Sequence, residues 1–554
     1  MNRLPVLIVT LAACAGGTQE AQKPADASGP AQGAPAKKMS SGDVAFDLPV
    51  TEIKGTLYEP NALGRPGMPL VDAKRPVPLD KQRAAVQNTK DPVQKQAQAA
   101  ILATMLYRDS KAAKDKNDKV KEKALWTEAR QLLRDIAQQA GDANVDEVTL
   151  RLLGSYELLL EDYPNAEKAW ASLIAKDPKS KELAFNKAYL AYAQLKQFKN
   201  ADALATVGGE KLDDKQPELA YVTAWAKWRG NDPQGAWTAL STAAKGWGQN
   251  AGRPELESDL IVFASRAGVT PDQATPVLIS TGKDKAQLLA NKDHAKEEAI
   301  RFGYEQLAKL GISGYGLTGQ WANGIAQLNK AWDFGKDQIP GDDKVVIRYS
   351  QVEYSIRLGA PDTTLELAKQ ALDALDKCGA PCTDKVKADA VDHVYQTGRL
   401  FHILYATAND KAYYQPAHDL YALTIPRLPQ AQQVQAQADA GKLETTLKNT
   451  KPGTGTHDKG ALGALLARHV PELTTCYENA LQTNPKVAGS VTLMLESDGS
   501  GDIKGAATEP RAGAADMAAV AGCIQERAKT WKLPKRGMAG STRVKASYTF
   551  SLRK

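Results

Sequence analysis

Residues 150–178 read LRLLGSYELLLEDYPNAEKAWASLIAKDP, and the fold turns on this stretch. Leu150, Leu153 and Gly154 precede Ala166, and Trp170, Leu173 and Pro178 follow it. Apolar residues at intervals of three and four predict two amphipathic helices. Small residues at fixed places let two antiparallel helices touch closely, and Pro178 ends the second before a new unit begins. The frame recurs downstream. Phe185, Ala188, Tyr189 and Tyr192 come before Ala201; Ala220, Thr223, Ala224 and Lys227 come before Ala236, with Leu240 after it. Ala166, Ala201 and Ala236 are spaced by 35 residues each, and Ala129 precedes them by 37.

This frame resembles the tetratricopeptide repeat (TPR), whose period is 34 residues. The match is good at Leu153, Gly154, Ala166, Trp170 and Pro178 and looser afterwards. Such units bury their apolar faces only by stacking, so the resemblance implies an α-solenoid with a groove for extended peptides or partner helices. The alternative is a non-repeating helical bundle with chance alanines. Beyond 245 the period is harder to keep. Helices are still predicted over Ala299–Leu310, Trp321–Trp332, Val345–Leu358, Thr363–Leu375, Val386–Tyr405 and Ala417–Ile425, punctuated by Gly311, Gly359-Ala360-Pro361 and Asn409-Asp410. They read as degenerate repeats.

The start of the chain speaks to compartment. Arg3 supplies a positive charge, and Leu4 to Ala13 is an apolar run too short to span a bilayer, which takes roughly 20 residues. It fits a secretory signal. The run ends in Leu11-Ala12-Ala13-Cys14, which resembles the bacterial lipobox and implies that Cys14 is lipidated, with palmitate among its acyl chains, and becomes the new N-terminus. An ordinary signal peptide with a chance cysteine is the alternative. Ala15 and Gly16 follow the cysteine where Asp would mark retention at the inner membrane, so the resemblance implies an outer-membrane anchor facing the periplasm. Residues 15 to about 47 are rich in Gly, Pro, Ala and Lys and read as a disordered tether, drawn on to 75.

A chain of 554 residues is too long for one core. Its 43% hydrophobic but only 6% aromatic content leans towards packed helices. With 71 basic and 64 acidic residues interspersed, no nucleic-acid footprint stands out. Besides Cys14, four cysteines remain: Cys378 and Cys382 close together, Cys476 and Cys523 near the end. In an oxidising periplasm these would form two disulfides. Half a zinc site at Cys378 and Cys382 is the rival, though no second Cys/His pair follows at suitable spacing.

The pattern changes after the stretch around Lys451-Pro452-Gly453-Thr454-Gly455. Leu462–Leu481 reads as helix with a restart at Pro471, Val491, Leu493 and Leu495 share a strand face, Asp498-Gly499-Ser500-Gly501 is a turn, and Ile503–Thr508 returns. Ala514–Trp531 is amphipathic, and Val544, Ala546, Tyr548, Phe550 and Leu552 alternate along a last strand. The order is α-β-β-α-β.

Cys476-Tyr477-Glu478, Asn484-Pro485, Gly489-x-Val491, Asp498-Gly499-x-Gly501, Cys523-Ile524 and Trp531-x-x-Pro534 together resemble the AgmX/PglI C-terminal domain, known chiefly from myxobacteria and similar to the TonB C-terminal domain. The resemblance covers roughly 460–554. It implies that Cys476 pairs with Cys523 and ties the two helices across the sheet. It also implies work in an envelope complex, gliding motility among the options. TonB-type transducers start from a membrane helix, whereas a lipid anchor is expected here, which favours docking over force transduction. The last strand could be an edge open to a partner strand.

The expected organisation is therefore a signal peptide (1–13), a lipidated cysteine with tether (14–75), helical repeats (76–440), a linker (441–459) and a small α+β domain (460–554). The expected function is a membrane-anchored scaffold that binds other envelope proteins, with an accessory to a cell-wall enzyme or a small-ligand carrier as the alternatives. Gly314-Tyr315-Gly316-Leu317-Thr318-Gly319 matches a dinucleotide fingerprint on paper but lacks its βαβ context, and reads as a loop between helices. None of His294, His393, His402, His418, His457 and His469 forms a metal-ligand pair; His393 and His402 could share a helix face, and all six read as surface or capped histidines. Trp225, Trp228 and Trp237 read as packing between repeats in preference to a ligand cage. No elbow, Walker loop or catalytic set is present, so no enzyme, cofactor or metal is expected.

Overall fold

The computed structural model describes residues 44–63, 77–248, 254–289, 294–378, 382–408, 411–449, 459–510, 517–533 and 540–553. The predicted signal peptide, Cys14, the tether up to 43 and over 64–75, the Asn409-Asp410 and Lys451–Gly455 breaks, His457 and Pro534 lie outside them. The chain divides into two compact units. Tyr58–Ala299 is a helical unit; Met1–Leu57 with Ile300–Lys554 is a mixed unit of helices and sheet. The protein is mostly α, a TPR-like array of helix hairpins with a small C-terminal α+β part. Among the described residues no helix is long and apolar enough to cross a membrane.

Two strands come first, β1 (Val44–Asp47) and β2 (Thr51–Gly55). The helical unit then runs α1 (Leu79–Asn88), α2 (Pro92–Asp115), α3 (Lys119–Ala140), α4 (Glu147–Leu159), α5 (Tyr163–Lys176), α6 (Leu183–Lys196), α7 (Asn200–Val207), α8 (Pro217–Arg229), α9 (Pro233–Trp247), α10 (Pro254–Arg266) and α11 (Pro271–Leu289). The mixed unit has α12 (Ala295–Lys309), whose first turn holds the boundary, then α13 (Trp321–Gly335), α14 (Gly341–Arg357), α15 (Pro361–Asp376), α16 (Asp384–Ala408), α17 (Tyr414–Thr424) and α18 (Gln430–Asn449). All six helices predicted beyond 245 are present. The expected linker begins later, since α18 runs on to Asn449.

One device closes seven of the hairpins among the described residues. The first helix ends on a residue in the left-handed region: Asn117, Glu161, Phe198, Asn231, Gly268, Gly319 and Gly359, with φ between 56° and 75°. The amide after it donates back to a carbonyl five residues earlier, as in Asp162 to Glu157 at 2.8 Å, Lys199 to Gln194 at 3.0 Å, Gln320 to Tyr315 at 2.9 Å and Ala360 to Ser355 at 3.2 Å. This satisfies carbonyls that a helix end leaves orphaned. In three hairpins the next helix is capped by Asp118, Asp162 or Asp232, whose carboxylates accept from Lys121, Asn165 and Gly235 amides.

From α5 onward the fourth residue of the second helix is small and buried: Ala166, Ala203, Ala236, Ala274, Gly324, Thr364 and Ala417, whereas α3 has the buried Glu122 there. This corrects the predicted register. Ala201 is exposed, and Ala203 is the buried equivalent. The intervals between these positions run 37, 33, 38, 50, 40 and 53 residues, so no constant period exists to follow past 245. Gly154 on α4 is likewise small and buried; a methyl there would meet the Trp170 indole at 2.8 Å.

The α+β part adds α19 (Lys459–Ala467), α20 (Val470–Thr483), β3 (Gly489–Ser497), β4 (Ile503–Pro510), α21 (Ala518–Ala528) and β5 (Thr542–Leu552). β3 pairs antiparallel with both β4 and β5. Val491, Leu493, Leu495, Val544, Ala546, Tyr548 and Phe550 face a core with Leu473, Tyr477 and Ile524, whereas Leu552 is exposed. The order α-β-β-α-β holds, but the sheet is larger. β1 pairs in parallel with the first half of β5, and β2 with the second half. The last strand is therefore internal, and the expected open edge is covered by residues 44–55 of the same chain. The tether expectation fails there for a physical reason: Phe46 and Ile53 carry apolar side chains that the sheet core accepts.

Candidate functional site: the row of first helices

Within each unit first helices of neighbouring hairpins meet, α2 with α4 and α6 with α8 in the helical unit and α14 with α16 in the mixed unit, and the side chains they share decide what this face can hold. In the mixed unit, α14, α16, the π-helical turn Leu310–Gly316 and Trp321 enclose a cavity of about 110 Å³, with Pro471 of α20 at its rim. The Gly314–Gly319 motif falls in that turn and its closing bend, so it extends α12 and is not a phosphate loop.

Aromatic walls and a partly buried charge cluster make up this cavity. The Arg357 guanidinium lies 4.7 Å from the Trp321 ring centre, and Trp321 and Tyr354 rings are 5.5 Å apart. Arg357 Nε donates to Glu353 Oε1 at 2.7 Å, four residues back on α14. His393 Nε2, from α16, lies 3.0 Å from Glu353 Oε2 in ion-pair range but off the line of a hydrogen bond. Burial pushes the imidazole down to about 4, so it is neutral near pH 7. The Tyr349 ring lies tilted against it, with ring centres 4.2 Å apart. Beneath them Arg468 donates to the Ile356 carbonyl at 3.3 Å, and Arg357 donates to the Arg468 carbonyl at 3.2 Å. Burial pushes Arg468 down to about 10. Trp321 Nε1 is buried with no hydrogen-bond partner among the described residues. The lining can hold a small group with an aromatic or aliphatic body and an acceptor oxygen for that indole N–H.

In the helical unit the equivalent face is occupied. Residues 58–63 lie across α6, α8 and α10 without regular secondary structure. Lys196 Nζ contacts Glu59 Oε2 at 2.5 Å, Arg229 donates to the Tyr58 carbonyl at 3.2 Å, and the Ala62 amide donates to the Tyr221 hydroxyl at 2.9 Å. Arg266 donates to the Tyr58 hydroxyl at 2.8 Å and lies 4.5 Å over its ring, which sits 6.2 Å from Trp228. Tyr221 in turn donates to Asp259 at 2.7 Å, and burial pushes that carboxyl up to about 7.

The predicted disulfide residues are joined as pairs. Cys378 and Cys382 are bonded, as are Cys476 of α20 and Cys523 of α21, each pair with Cα atoms 5.7 Å apart. The second bond ties helices that lie side by side. Asp342 stands within 4.8 Å of Cys378 and Cys382, yet their sulfurs are bonded to each other and offer no thiolate to a metal. Trp225 and Trp228 pack on Phe263 between α8 and α10, at 5.1 Å and 4.5 Å, as interrepeat packing requires. His393 and His402 share α16 but serve different neighbours, Glu353 and Tyr421. His393 is largely covered, its side chain 14% exposed and turned towards Glu353, so of the surface and capped readings the surface one does not hold for it. Trp321, Glu353, Tyr354, Arg357 and Arg468 were not anticipated. Only the Glu353–Arg357 spacing carries a sequence signal, and it reads as an ordinary solvent-facing helix pair.

No family model matches the chain, and no curated protein matches it. Among solved structures it is similar to the apo form of the quorum sensor NprR from B. thuringiensis, at 13% identity, covering 62% of this chain and 97% of that one, with a TM-score of 0.24.

Proposed function

We propose that the chain is a lipid-anchored scaffold of the bacterial envelope, held at the outer membrane through Cys14, facing the periplasm and binding other envelope proteins. The supporting observation is the row of first helices, which in the helical unit holds an irregular segment, residues 58–63, through contacts to its backbone as well as its side chains. Such rows are how hairpin arrays present long surfaces to peptides. The two disulfides support an oxidising compartment. The resemblance of residues 460–554 to the AgmX/PglI domain supports membership of an envelope complex, gliding motility being the case to test first. Docking through a free edge of β5 is withdrawn, because β1 and β2 cover it. The reading is tested by crosslinking intact cells and retrieving the chain from the membrane fraction. Envelope proteins should come with it, and Cys14→Ala should move it to the soluble periplasm. Retrieval of the chain alone, or an unchanged distribution of the variant, would defeat it.

The cavity in the mixed unit favours a second reading, a small-ligand carrier. Its support is the buried Trp321 Nε1, without a partner among the described residues, beside Arg357. Native mass spectrometry showing a bound small molecule lost on Trp321→Ala tests it.

A further inference from the structure

The segment Tyr58–Leu63 follows β2 after Thr56 and Leu57, yet it takes up neither strand nor helix. Its backbone groups are instead met by side chains of the first helices. Arg229 reaches the Tyr58 carbonyl, and Tyr221 receives the Ala62 amide. Any extended peptide offers the same two groups. Selectivity comes from the side chains. The Tyr58 ring sits under Arg266 and beside Trp228; Glu59 meets Lys196; Pro60, Ala62 and Leu63 are buried, while Asn61 faces solvent.

The helices carry features that suit a filled site. Arg229 is only 3% exposed and, among the described residues, donates to two carbonyls, at Leu195 and Tyr58. A buried guanidinium without a carboxylate is costly unless acceptor oxygens surround it. The peptide supplies one of those oxygens, and the Glu59 carboxylate adds favourable charge nearby.

We propose that the face formed by α6, α8 and α10 is a peptide-binding site, filled in cis by residues 58–63, that accepts extended partner segments of the same chemistry. That chemistry is an aromatic residue, a carboxylate and a proline, then one solvent-facing residue and two apolar ones. The strap and the partner exclude each other, so the chain's own segment sets the threshold for engagement. This rests on the scaffold reading above and names the kind of partner that the helical unit takes.

The test uses the full chain and a fluorescein-labelled peptide copying residues 56–64, read by fluorescence anisotropy. In the wild type the tethered strap competes at high effective concentration, so binding is weak. Weakening the strap with Tyr58→Ala and Glu59→Lys should tighten peptide binding about tenfold or more, the ratio expected when an intramolecular competitor is removed. Adding Lys196→Glu should weaken it again, and a peptide with Lys in the Glu59 position should restore it. If the strap variants fail to fold, hydrogen exchange on the wild type decides: excess peptide should speed exchange at the Ala62 amide while α8 stays protected. Equal binding by wild type and strap variant, indifference to Lys196→Glu, or unchanged exchange at Ala62 would overturn the proposal. So would a strap variant that runs as a dimer, since the occupant would then be a second copy's strap. Failure here with envelope proteins still retrieved by crosslinking defeats the strap alone; retrieval of nothing defeats the scaffold.

Discussion

The Tyr221 hydroxyl donates to the Asp259 carboxylate at 2.7 Å while accepting from the Ala62 amide at 2.9 Å. One phenol thus links residues 58–63 to a buried acid on α10.

Tyr221→Phe removes both bonds and leaves a buried donor and a buried acceptor without this partner. A loss of about 1–3 kcal/mol in stability is expected, measured by denaturant unfolding of the helical unit's transition. The pH dependence carries a sign. Asp259 is raised to about 7 in the folded chain from its ordinary 3.8, so the folded state binds the extra proton between those values. Its contribution is complete below 3.8 and lost as pH climbs to 7, with a slope of at most about 1.4 kcal/mol per pH unit. Asp259→Asn should flatten this part of the profile; an unchanged slope would show the acid is not held protonated.

The register of the repeats is tested by a pair of substitutions two residues apart. Ala203→Asp places a charge where no side-chain surface is exposed and should cost more than about 3 kcal/mol. Ala201→Asp lies on the solvent side and should stay within about 0.5 kcal/mol. Circular-dichroism melts should therefore rank Ala203→Asp far below Ala201→Asp. The reverse order would make Ala201 the packed residue and overturn the register.

Hairpin turns predict changes of opposite sign at equivalent places. Glu161 adopts φ 60° with a side chain that disfavours it, so Glu161→Gly should stabilise by up to about 1 kcal/mol. Gly359 adopts φ 67°, and Gly359→Ala should destabilise by about 1 kcal/mol. Thermal unfolding measures both. Equal signs would mean the shared closing turn is not the common element.

Residues 44–55 should behave as part of the sheet. Ile53 is 2% exposed within the α+β core, so Ile53→Ala should cost about 2–4 kcal/mol. Val50, 66% exposed between β1 and β2, should tolerate alanine within about 0.5 kcal/mol. Loss of the covering strands bares the ladder of β5, and light scattering should then show self-association.

How far the fold was legible follows from what each signal depends on. Gly154, Ala166, Trp170 and the alternation of Val544 to Phe550 are local patterns, and a few residues of sequence suffice to read them. The drift of the repeat is not local. It accumulates in the lengths of connecting segments, and the residue that closes these hairpins changes from Asn, Glu or Phe to Gly while its φ stays between 56° and 75°. The charge cluster at Glu353, Arg357, His393 and Arg468 joins residues from separate parts of the mixed unit, each ordinary in its own surroundings.

By itself the amino-acid order determined that most of the chain would be paired helices ending in a small α+β domain, because helix and strand periods follow from backbone geometry alone. It also determined which cysteines stood close enough in sequence or motif to be read as pairs. Only the tertiary structure decided that residues 44–55 complete the sheet and that 58–63 lie on a row of helices. Short segments of this kind gain their order from surfaces assembled elsewhere in the chain, so nothing in their own sequence announces where they belong.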